Sequence, residues 1–261
     1  MTIIYWNTHN IQDLKIIEEL LKNKKPDILF LSEFDISILI SNISTLTNLN
    51  YEISYNPGCD KIVTIKNINI HLEPSLQSTD FTVYYYKKND IHIISLHLPS
   101  QLHRHMDDLK ETIREFRLEI DNEIGNSLDT KILVIGDFNV NPYETPMINF
   151  DGFLASNAKF GRKTIKRRVT KSTYYNPTWK LYASEKFPGT KFYNRPSGSS
   201  YDITEFHYLD QVVLSRAFLD EVKDDKIYVL EKTKNIDLIN KKTNRIIKGI
   251  DHLPLVYQFN F

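Results

Sequence analysis

Two apolar runs of the sequence end in polar residues that can bind a metal ion or a phosphate group. The run that starts at residue 131 ends in Gly136, which leaves Asp137 and Asn139 in the loop just beyond it. A second run, DILFLSE, ends in the carboxylate of Glu33. A sheet holds residues at its strand ends rigidly, and the loop leaves room for a ligand. These positions are therefore candidates for a functional site.

Three further segments add acids and histidines. His97 lies within the apolar run IISLHLP, and Asp210 lies within YLDQVVLS. Asp251 and His252 stand side by side just before the last apolar run. Each residue has a structural explanation by itself, such as a turn, a core histidine or a buried ion pair. Their recurrence in five separate segments favours one shared site.

In this order and spacing the motifs resemble the endonuclease/exonuclease/phosphatase superfamily, which includes DNase I, abasic-site endonucleases, sphingomyelinases and inositol polyphosphate 5-phosphatases. The motifs that resemble it are Trp6-Asn7, Ser32-Glu33, Ser95-Leu96-His97, Gly136-Asp137-Phe138-Asn139, Leu209-Asp210-Gln211 and Asp251-His252. The family often has an acid or a glycine shortly after the first Asn, whereas Thr8, His9 and Asn10 follow here. The resemblance implies metal-dependent phosphoester hydrolysis.

The resemblance also implies a metal site. Glu33 and Asp251 would bind a hard divalent cation through oxygen, with Asn7 close by. Oxygen ligands suit Mg²⁺, for which Mn²⁺ can substitute, and the chain offers no Cys/His set for structural zinc. We therefore expect Mg²⁺ as the cofactor.

The catalytic roles implied by the resemblance fall on five other residues. Asp137 would orient or deprotonate the attacking water, and Asn139 would hold the water or a phosphate oxygen. Asp210 would pair with His252 and favour its charged form beside the phosphate. His97 would be a second donor to the phosphate or to the leaving oxygen.

The pattern of apolar residues predicts strands separated by helices. The predicted strands are Ile3–Trp6, Asp27–Leu31, Phe81–Tyr86, Ile91–Leu98, Lys131–Ile135, Tyr208–Leu214 and Leu255–Phe259. Helical spacing predicts one helix after Asn10 as its N-cap, stopped by Pro26, and a longer one from Gln101 to Gly125. With the resemblance, this predicts an α+β fold of the DNase I type, a four-layer α/β sandwich in which helices flank two mixed sheets.

The chain of 261 residues is expected to form one domain, 1–261, with a long basic surface insertion around residues 155–207. That segment mixes cations with aromatic residues, among them Tyr174, Tyr175, Trp179 and Tyr182. Cations can follow a nucleic acid backbone, and aromatic rings can stack on bases. The alternative that remains open is a solvated basic loop whose aromatic residues face the core. The proposed substrate-binding residues are Lys163, Lys166, Arg167, Arg168 and Trp179.

Three functions remain open at this level. The leading one is a nuclease acting on DNA or RNA, either as an endonuclease or as an exonuclease. A phosphatase or phosphodiesterase for a small phosphorylated metabolite or a lipid head group is the second. The third is a catalytically inactive nucleic-acid-binding scaffold, against which the intact set of acids and His252 argues.

The composition gives expectations about the cellular compartment of the protein. The single cysteine, Cys59, cannot form an internal disulfide and fits a reducing compartment. No apolar stretch approaches the roughly 18 residues that cross a bilayer, and the first residues lack the pattern of a secretion signal. These features predict a cytoplasmic protein without a membrane span. The formal net charge of zero argues neither for nor against a polyanionic partner. Nucleic acid is the expected partner, and the sequence does not indicate an oligomeric state.

Overall fold

The computed structural model describes residues 1–54, 58–100, 106–159, 163–166, 169–183, 189–192, 206–240, 242–243 and 245–261. Its strands are β1 (Thr2–Asn7), β2 (Ile28–Ser32), β3 (Tyr51–Ser54), β4 (Ile62–Asn67), β5 (Glu73–Gln77), β6 (Phe81–Tyr86), β7 (Ile91–His97), β8 (Ile132–Asp137), β9 (Ala155–Ser156), β10 (Lys163–Lys166), β11 (Val169–Ser172), β12 (Tyr174–Tyr175), β13 (Lys191–Phe192), β14 (Phe206–His207), β15 (Asp210–Leu214), β16 (Asp224–Val229), β17 (Ile239–Asn240), β18 (Arg245–Ile246) and β19 (Leu255–Asn260). The helices are α1 (Leu14–Lys24), α2 (Ile36–Ser41), α3 (Ile43–Asn48), α4 (Met106–Glu123), α5 (Thr145–Ile148) and α6 (Arg216–Glu221), with a 3-10 helix at Pro177–Ala183.

Two mixed sheets form the centre of the molecule. A six-stranded sheet has the order β16-β19-β1-β2-β4-β3, and a seven-stranded sheet has the order β5-β6-β7-β8-β15-β12-β9. In the first sheet β1 runs parallel to β2 and antiparallel to β19. In the second, β8 runs parallel to β7 and antiparallel to β15.

Alternation along the central strands explains how the sheets pack. In β1, Ile3 and Tyr5 belong to the apolar layer between the sheets, whereas Ile4 and Trp6 belong to the layer beneath α1. In β8 the odd-numbered apolar residues also face the other sheet, and Val134 faces α4. Because successive strand side chains point to opposite faces, each apolar strand supplies two core layers. The predicted four-layer sandwich is thereby confirmed.

The two predicted helices exist, with a different start for the first. The predicted N-cap, Asn10, is wrong, since its φ of 59° is left-handed. Asp13 caps the helix instead, and its carboxylate accepts a hydrogen bond of 2.9 Å from the Lys15 amide. The end of the long helix at Gly125 is confirmed, because the Gly125 amide donates to the Ile120 carbonyl at 3.0 Å. Residues 101–105 lie outside the described part of the chain.

The long segment after residue 155 contributes to the core as well as to the surface. Strands β9 and β12 extend the seven-stranded sheet, and Tyr174 and Tyr175 are buried. The buried Arg117 guanidinium lies 4.4 Å from the centre of the Tyr174 ring and donates to the carbonyls of Phe153 and Ser172. For Tyr174 and Tyr175 the burial excludes stacking on bases and agrees with the alternative in which the aromatic residues of this segment face the core. Among the described residues, no helix is both long enough and apolar enough to span a bilayer.

Candidate active site

The topology brings the polar residues of the strand ends to one edge of the sandwich. Asn7 ends β1 and Glu33 directly follows the parallel strand β2. His97 and Asp137 are opposite each other at the ends of the parallel strands β7 and β8. Strand β15 runs the other way, so its first residue, Asp210, pairs with Asp137. Asp251 and His252 precede β19, which is antiparallel to β1.

Asp137 owes its position to the glycine before it. A Cβ atom on Gly136 would lie 2.1 Å from the Leu96 carbonyl oxygen, so only glycine allows β8 to approach β7 this closely. Beyond the strand, Asp137 Oδ1 accepts a 2.8 Å hydrogen bond from the Asn139 amide. Asn139 has a φ of 53°, and its side-chain Nδ2 donates to the Leu98 carbonyl at 2.7 Å. The Gly-Asp-Phe-Asn loop is thus fixed by its own hydrogen bonds.

Glu33 is held in a left-handed conformation with a φ of 48°. Such a backbone conformation costs about 1 kcal/mol or more for a residue with a side chain. Its carbonyl accepts hydrogen bonds from Thr8 Oγ1 at 2.7 Å and from the Asn10 amide at 2.8 Å. Asn7 Nδ2 donates to Glu33 Oε1 at 2.9 Å and to Asp137 Oδ2 at 3.3 Å. Asn7 therefore links the Glu33 side of the site to the Asp137 side.

His252 is the centre of the buried part of the site. Its Nδ1 donates to Asp210 Oδ2 at 2.7 Å, and Trp6 Nε1 donates to its carbonyl oxygen at 3.0 Å. Its Nε2 lies 3.9 Å from Asp137 Oδ2 and 3.9 Å from Asp251 Oδ1. The expected Asp210–His252 pair is present, and the free side of the imidazole points between two carboxylates.

Burial and charge act against each other in this cluster. Burial raises the pKa of Asp137 above its usual range, and the neighbouring Asp210 carboxylate raises it further, while His252 and His97 oppose the shift. Burial would lower the pKa of His252, but the Asp210 carboxylate outweighs it, and the net shift is upward. An imidazolium at His252 would provide positive charge where a phosphate oxygen could lie.

The donor set fits a hard divalent cation. Asp137, Asp210 and His252 have carboxylate and imidazole atoms that lie within 4.8 Å of one another, but a protonated His252 cannot ligate a metal, so the carboxylates of this edge are the candidate ligands. Among the described residues, the buried Oδ1 atoms of Asp210 and Asp251 have no hydrogen-bond partner. Buried carboxylate oxygens normally have a partner, so a cation is a chemically suitable one. Glu33, at 33% side-chain exposure, remains open to solvent.

Two residues that the sequence did not single out belong to this edge. His9 Nδ1 lies 3.5 Å from Asp251 Oδ2 and 3.7 Å from Glu33 Oε2, and so connects two of the expected metal ligands. Lys191 forms an ion pair with Asp251 through its Nζ. A β-bridge joins Lys191 to His252, which explains how a residue 60 positions away reaches Asp251. His97 completes the edge, with its Nε2 3.5 Å from Glu33 Oε1.

The expected substrate-binding residues are described only in part. Lys163 and Lys166 lie on β10, which pairs with β11 in a separate two-stranded ribbon, and nothing is described of their side chains. Arg167 and Arg168 lie outside the described residues. In the same basic segment, Lys159 and Lys180 pair with Asp225 at 3.1 and 3.0 Å. These two lysines already neutralise a carboxylate of the protein.

Trp179 belongs to an aromatic cluster next to the Gly-Asp-Phe-Asn loop. Its ring lies 6.4 Å from Tyr143 and 5.8 Å from Tyr182, between ring centres. The Tyr182 hydroxyl donates to Asn141 Oδ1 at 3.3 Å, which ties the cluster to a residue two positions after Asn139. Tyr143 is 45% exposed, so the cluster presents an aromatic surface beside the site.

The four-layer sandwich, with acids, amides and histidines on one edge, defines a protein of the DNase I-like class. Three solved structures share this fold over 100% of the present chain. TDP2 from D. rerio, complexed with a single strand DNA product, is 14% identical, with a TM-score of 0.62 and 99% of its chain covered. An AP endonuclease from Archaeoglobus fulgidus is 16% identical, with a TM-score of 0.61 and 100% of its chain covered. The 3′ phosphatase NExo from Neisseria, bound to a product DNA hairpin, is 15% identical, with a TM-score of 0.57 and 100% of its chain covered.

The family model for the endonuclease/exonuclease/phosphatase family matches residues 4–223. The chain therefore belongs to the endonuclease/exonuclease/phosphatase family. Among curated proteins, no sequence matches this chain significantly.

Proposed function

We propose that the protein is a Mg²⁺-dependent nuclease that hydrolyses phosphodiester bonds in DNA or RNA by in-line attack of water. The observation that carries this proposal is the buried cluster in which His252 donates to Asp210 and faces Asp137 and Asp251. Family membership supports phosphoester hydrolysis.

Each side of the cluster has a separate task in the proposed reaction. Asp137 Oδ2 orients the attacking water and accepts its proton, while Oδ1 is fixed by the Asn139 amide. His252, held by Asp210, places positive charge beside a phosphate oxygen through Nε2. Asn139 holds the water or a phosphate oxygen with the part of its amide that Leu98 leaves free. His97 donates to the phosphate or to the leaving oxygen.

Glu33, Asp251 and Asn7 are the proposed metal ligands. Mg²⁺, or Mn²⁺ in its place, would neutralise the charge that develops on the phosphoryl and leaving oxygens. Glu33 and Asp251 both have partly exposed side chains, at 33% and 26%, so a hydrated ion can reach them. Magnesium retains several waters in most protein sites, which suits a site open on one side.

The preference for nucleic acid rests on the surface beside the cluster. Tyr143, Trp179 and Tyr182 form an aromatic surface on which bases could stack, at about 1–3 kcal/mol per base. Lys163, Lys166, Arg167 and Arg168 are the proposed contacts to the nucleic acid backbone. Three structures with this fold are described as a DNA-bound protein, a DNA-bound phosphatase and an AP endonuclease.

The decisive experiment measures hydrolysis of plasmid DNA, single-stranded DNA, RNA and bis(4-nitrophenyl) phosphate with and without metal. We expect EDTA to abolish hydrolysis, Mg²⁺ or Mn²⁺ to restore it, and Glu33→Gln to raise the metal concentration required. Glu115→Gln, an exposed change on α4, is the matched control and should leave that concentration unchanged. Full activity in excess chelator would contradict the metal mechanism.

The same substrate series separates the remaining alternatives. Hydrolysis of the small diester together with poor hydrolysis of all polymers would favour a phosphatase or phosphodiesterase for a small molecule. Binding of nucleic acid without hydrolysis of any substrate would favour an inactive scaffold.

A single domain over residues 1–261 also remains a proposal, and a stable fragment from limited proteolysis would contradict it. A cytoplasmic location, suggested by the lone Cys59, would be contradicted by recovery in a secreted fraction.

A further inference from the structure

His9 stands at the open rim of the site, between two of the proposed metal ligands. Its ring nitrogen Nδ1 lies 3.5 Å from Asp251 Oδ2 and 3.7 Å from Glu33 Oε2. Both separations exceed the length of about 3.2 Å that limits an ordinary N–H···O hydrogen bond, so the nitrogen faces the two carboxylates without a hydrogen bond to either. Neighbouring ligands of an octahedral ion with bonds of about 2.1 Å lie about 3 Å apart. The nitrogen is therefore within about 1 Å of the spacing that a shared ion would require from each carboxylate.

The loop that carries His9 is fixed to the end of β2. Thr8, which is fully buried, donates from its hydroxyl to the Glu33 carbonyl at 2.7 Å. The Asn10 amide donates to the same carbonyl at 2.8 Å, and the His9 amide donates to Asn7 Oδ1 at 3.1 Å. Because these hydrogen bonds lie on both sides of His9, the backbone sets its position relative to Glu33. The side chain itself is 57% exposed, so solvent and ions can reach the ring.

Asp251 can bind an ion in addition to the lysine that contacts it. Lys191 Nζ forms an ion pair with Asp251 Oδ2. Within the part of the chain that the structure describes, Asp251 Oδ1 has no hydrogen-bond partner. An ionised carboxylate has about four lone-pair sites, so one ammonium group leaves several of them for a metal ion.

We propose that His9 Nδ1 is a nitrogen ligand of the ion held by Glu33 and Asp251, and that it makes this site favour transition-metal ions over Mg²⁺. This inference rests on the proposed function and specifies its metal, with Mn²⁺ as the tighter-binding ion and Mg²⁺ as the weaker one. Mg²⁺ prefers oxygen ligands, whereas an imidazole nitrogen binds transition metals with an affinity that rises from Mn²⁺ to Co²⁺. His9 lies in the stretch Thr8-His9-Asn10, in which the chain departs from its family, so this selectivity belongs to the present chain.

The first test is calorimetric titration with Mg²⁺, Mn²⁺ and Co²⁺ in the absence of substrate, at one fixed pH above neutral. The variant is His9→Asn, because asparagine tolerates the left-handed backbone of this position and offers oxygen in place of nitrogen. We expect the wild type to bind Mn²⁺ about tenfold or more tightly than Mg²⁺, and Co²⁺ more tightly still. His9→Asn should weaken the binding of Mn²⁺ and Co²⁺ about tenfold or more, and that of Mg²⁺ about threefold or less.

The matched control is His71→Asn, which changes an exposed histidine after β4, at the strand ends opposite the site. It should keep all three metal affinities. His9→Ala is a second variant that offers no ligand atom, and it should also lose the preference for Mn²⁺ over Mg²⁺. Equal weakening of all three metals in the His9 variants would mean that His9 only shapes the loop, and unchanged affinities would mean that it does not bind the ion. Either result would overturn the proposal.

Pulsed electron paramagnetic resonance of the Mn²⁺ complex gives a readout that a purely structural role would not change. The echo modulation of a directly bound imidazole nitrogen should be present in the wild type and in His71→Asn. It should be absent in His9→Asn and in His9→Ala. No modulation in the wild type, or modulation that persists in both His9 variants because another histidine binds the ion, would contradict the proposal.

These measurements do not need turnover, so the metal ligand and the proposed function can fail separately. Hydrolysis of no phosphoester with any metal, together with Mn²⁺ binding that depends on His9, would contradict the proposed function and support the His9 ligand. Metal-dependent hydrolysis, together with equal metal affinities in the wild type and His9→Asn, would contradict the His9 ligand and support the proposed function.

Discussion

The strand-end edge and the long segment from residue 155 to 207 both contain many polar and charged residues, yet the fold uses them differently. At the edge, Asp137, Asp210 and His252 are buried and aimed at one another. In the long segment, the exposed side chains of Lys159 and Lys180 form ion pairs with Asp225. The number of charges in a segment therefore says little about function until their partners are known.

The difference has a physical origin in burial. A buried carboxylate loses its hydration, so the fold tolerates several together only with compensating partners such as the Asp210–His252 pair. A lysine on the surface remains hydrated and can pair with any nearby acid at little cost. A group of buried acids is consequently stronger support for a site than a run of exposed cations.

The largest effect is expected at Asp137. Asp137→Asn keeps nearly the same shape and removes a buried charge, so the fold should remain while turnover falls by about two orders of magnitude or more. Steady-state kinetics on bis(4-nitrophenyl) phosphate measures the loss, and urea unfolding measures the stability. Asp224→Asn, an exposed change on β16, is the control. Near-normal turnover in Asp137→Asn would remove this carboxylate from the mechanism.

The sequence predicted the edge because its signals are local. An apolar strand followed by a polar residue places that residue at a strand end, and parallel pairing then brings neighbouring ends together. Gly136 is also a local signal, because a side chain at this position would collide with the Leu96 backbone of the neighbouring strand. Asn7, Glu33, His97 and Asp137 were found in this way, together with the family resemblance.

The features that the sequence did not predict depend on distant partners. The Lys191 ion pair with Asp251 joins residues 60 positions apart, through a bridge that no local pattern indicates. The sequence left open whether Tyr174 and Tyr175 face the core or a ligand, and the pairing of their strand with β9 and β15 buries them. His9 stands in a loop whose left-handed backbone, with a φ of 48°, turns it towards Glu33. Such placements follow from tertiary pairing and not from local pattern.

A smaller effect is expected for the cations of the long segment that were proposed to bind the nucleic acid backbone. Replacing Lys163, Lys166, Arg167 and Arg168 with Ala should weaken duplex DNA binding and make log affinity depend less steeply on log salt. The slope should become shallower by up to about 0.9 for each phosphate that the variant no longer binds, because fewer counterions are released. Fluorescence anisotropy at several salt concentrations measures this slope. An unchanged slope would assign these four cations to a solvated surface that does not bind DNA.

The smallest effect on DNA binding is expected for Lys159 and Lys180, the two lysines that pair with Asp225. Lys159→Ala/Lys180→Ala removes two cations from the same segment, and it should leave the salt slope of DNA binding unchanged because both already bind Asp225. Its effect should appear in stability, as a decrease of about 1 kcal/mol or more at pH 7, because the Asp225 side chain is only 6% exposed and would lose both of its cations. A changed salt slope would contradict the assignment of these lysines to Asp225.

The pH dependence of this decrease follows from the Asp225 carboxyl. Burial alone would raise the pKa of Asp225, but hydrogen bonds from Lys180 and Lys159 outweigh it, and the folded-state pKa is lowered. The stabilisation is therefore complete above the unfolded-state pKa of about 4 and disappears as the pH falls through the lowered folded value. The difference in unfolding free energy between the wild type and Lys159→Ala/Lys180→Ala should accordingly shrink between about pH 5 and about pH 3 in urea titrations. A difference that stays constant over this range would mean that the two lysines stabilise the protein through interactions other than the charge of Asp225, such as their positions near the Tyr175 ring.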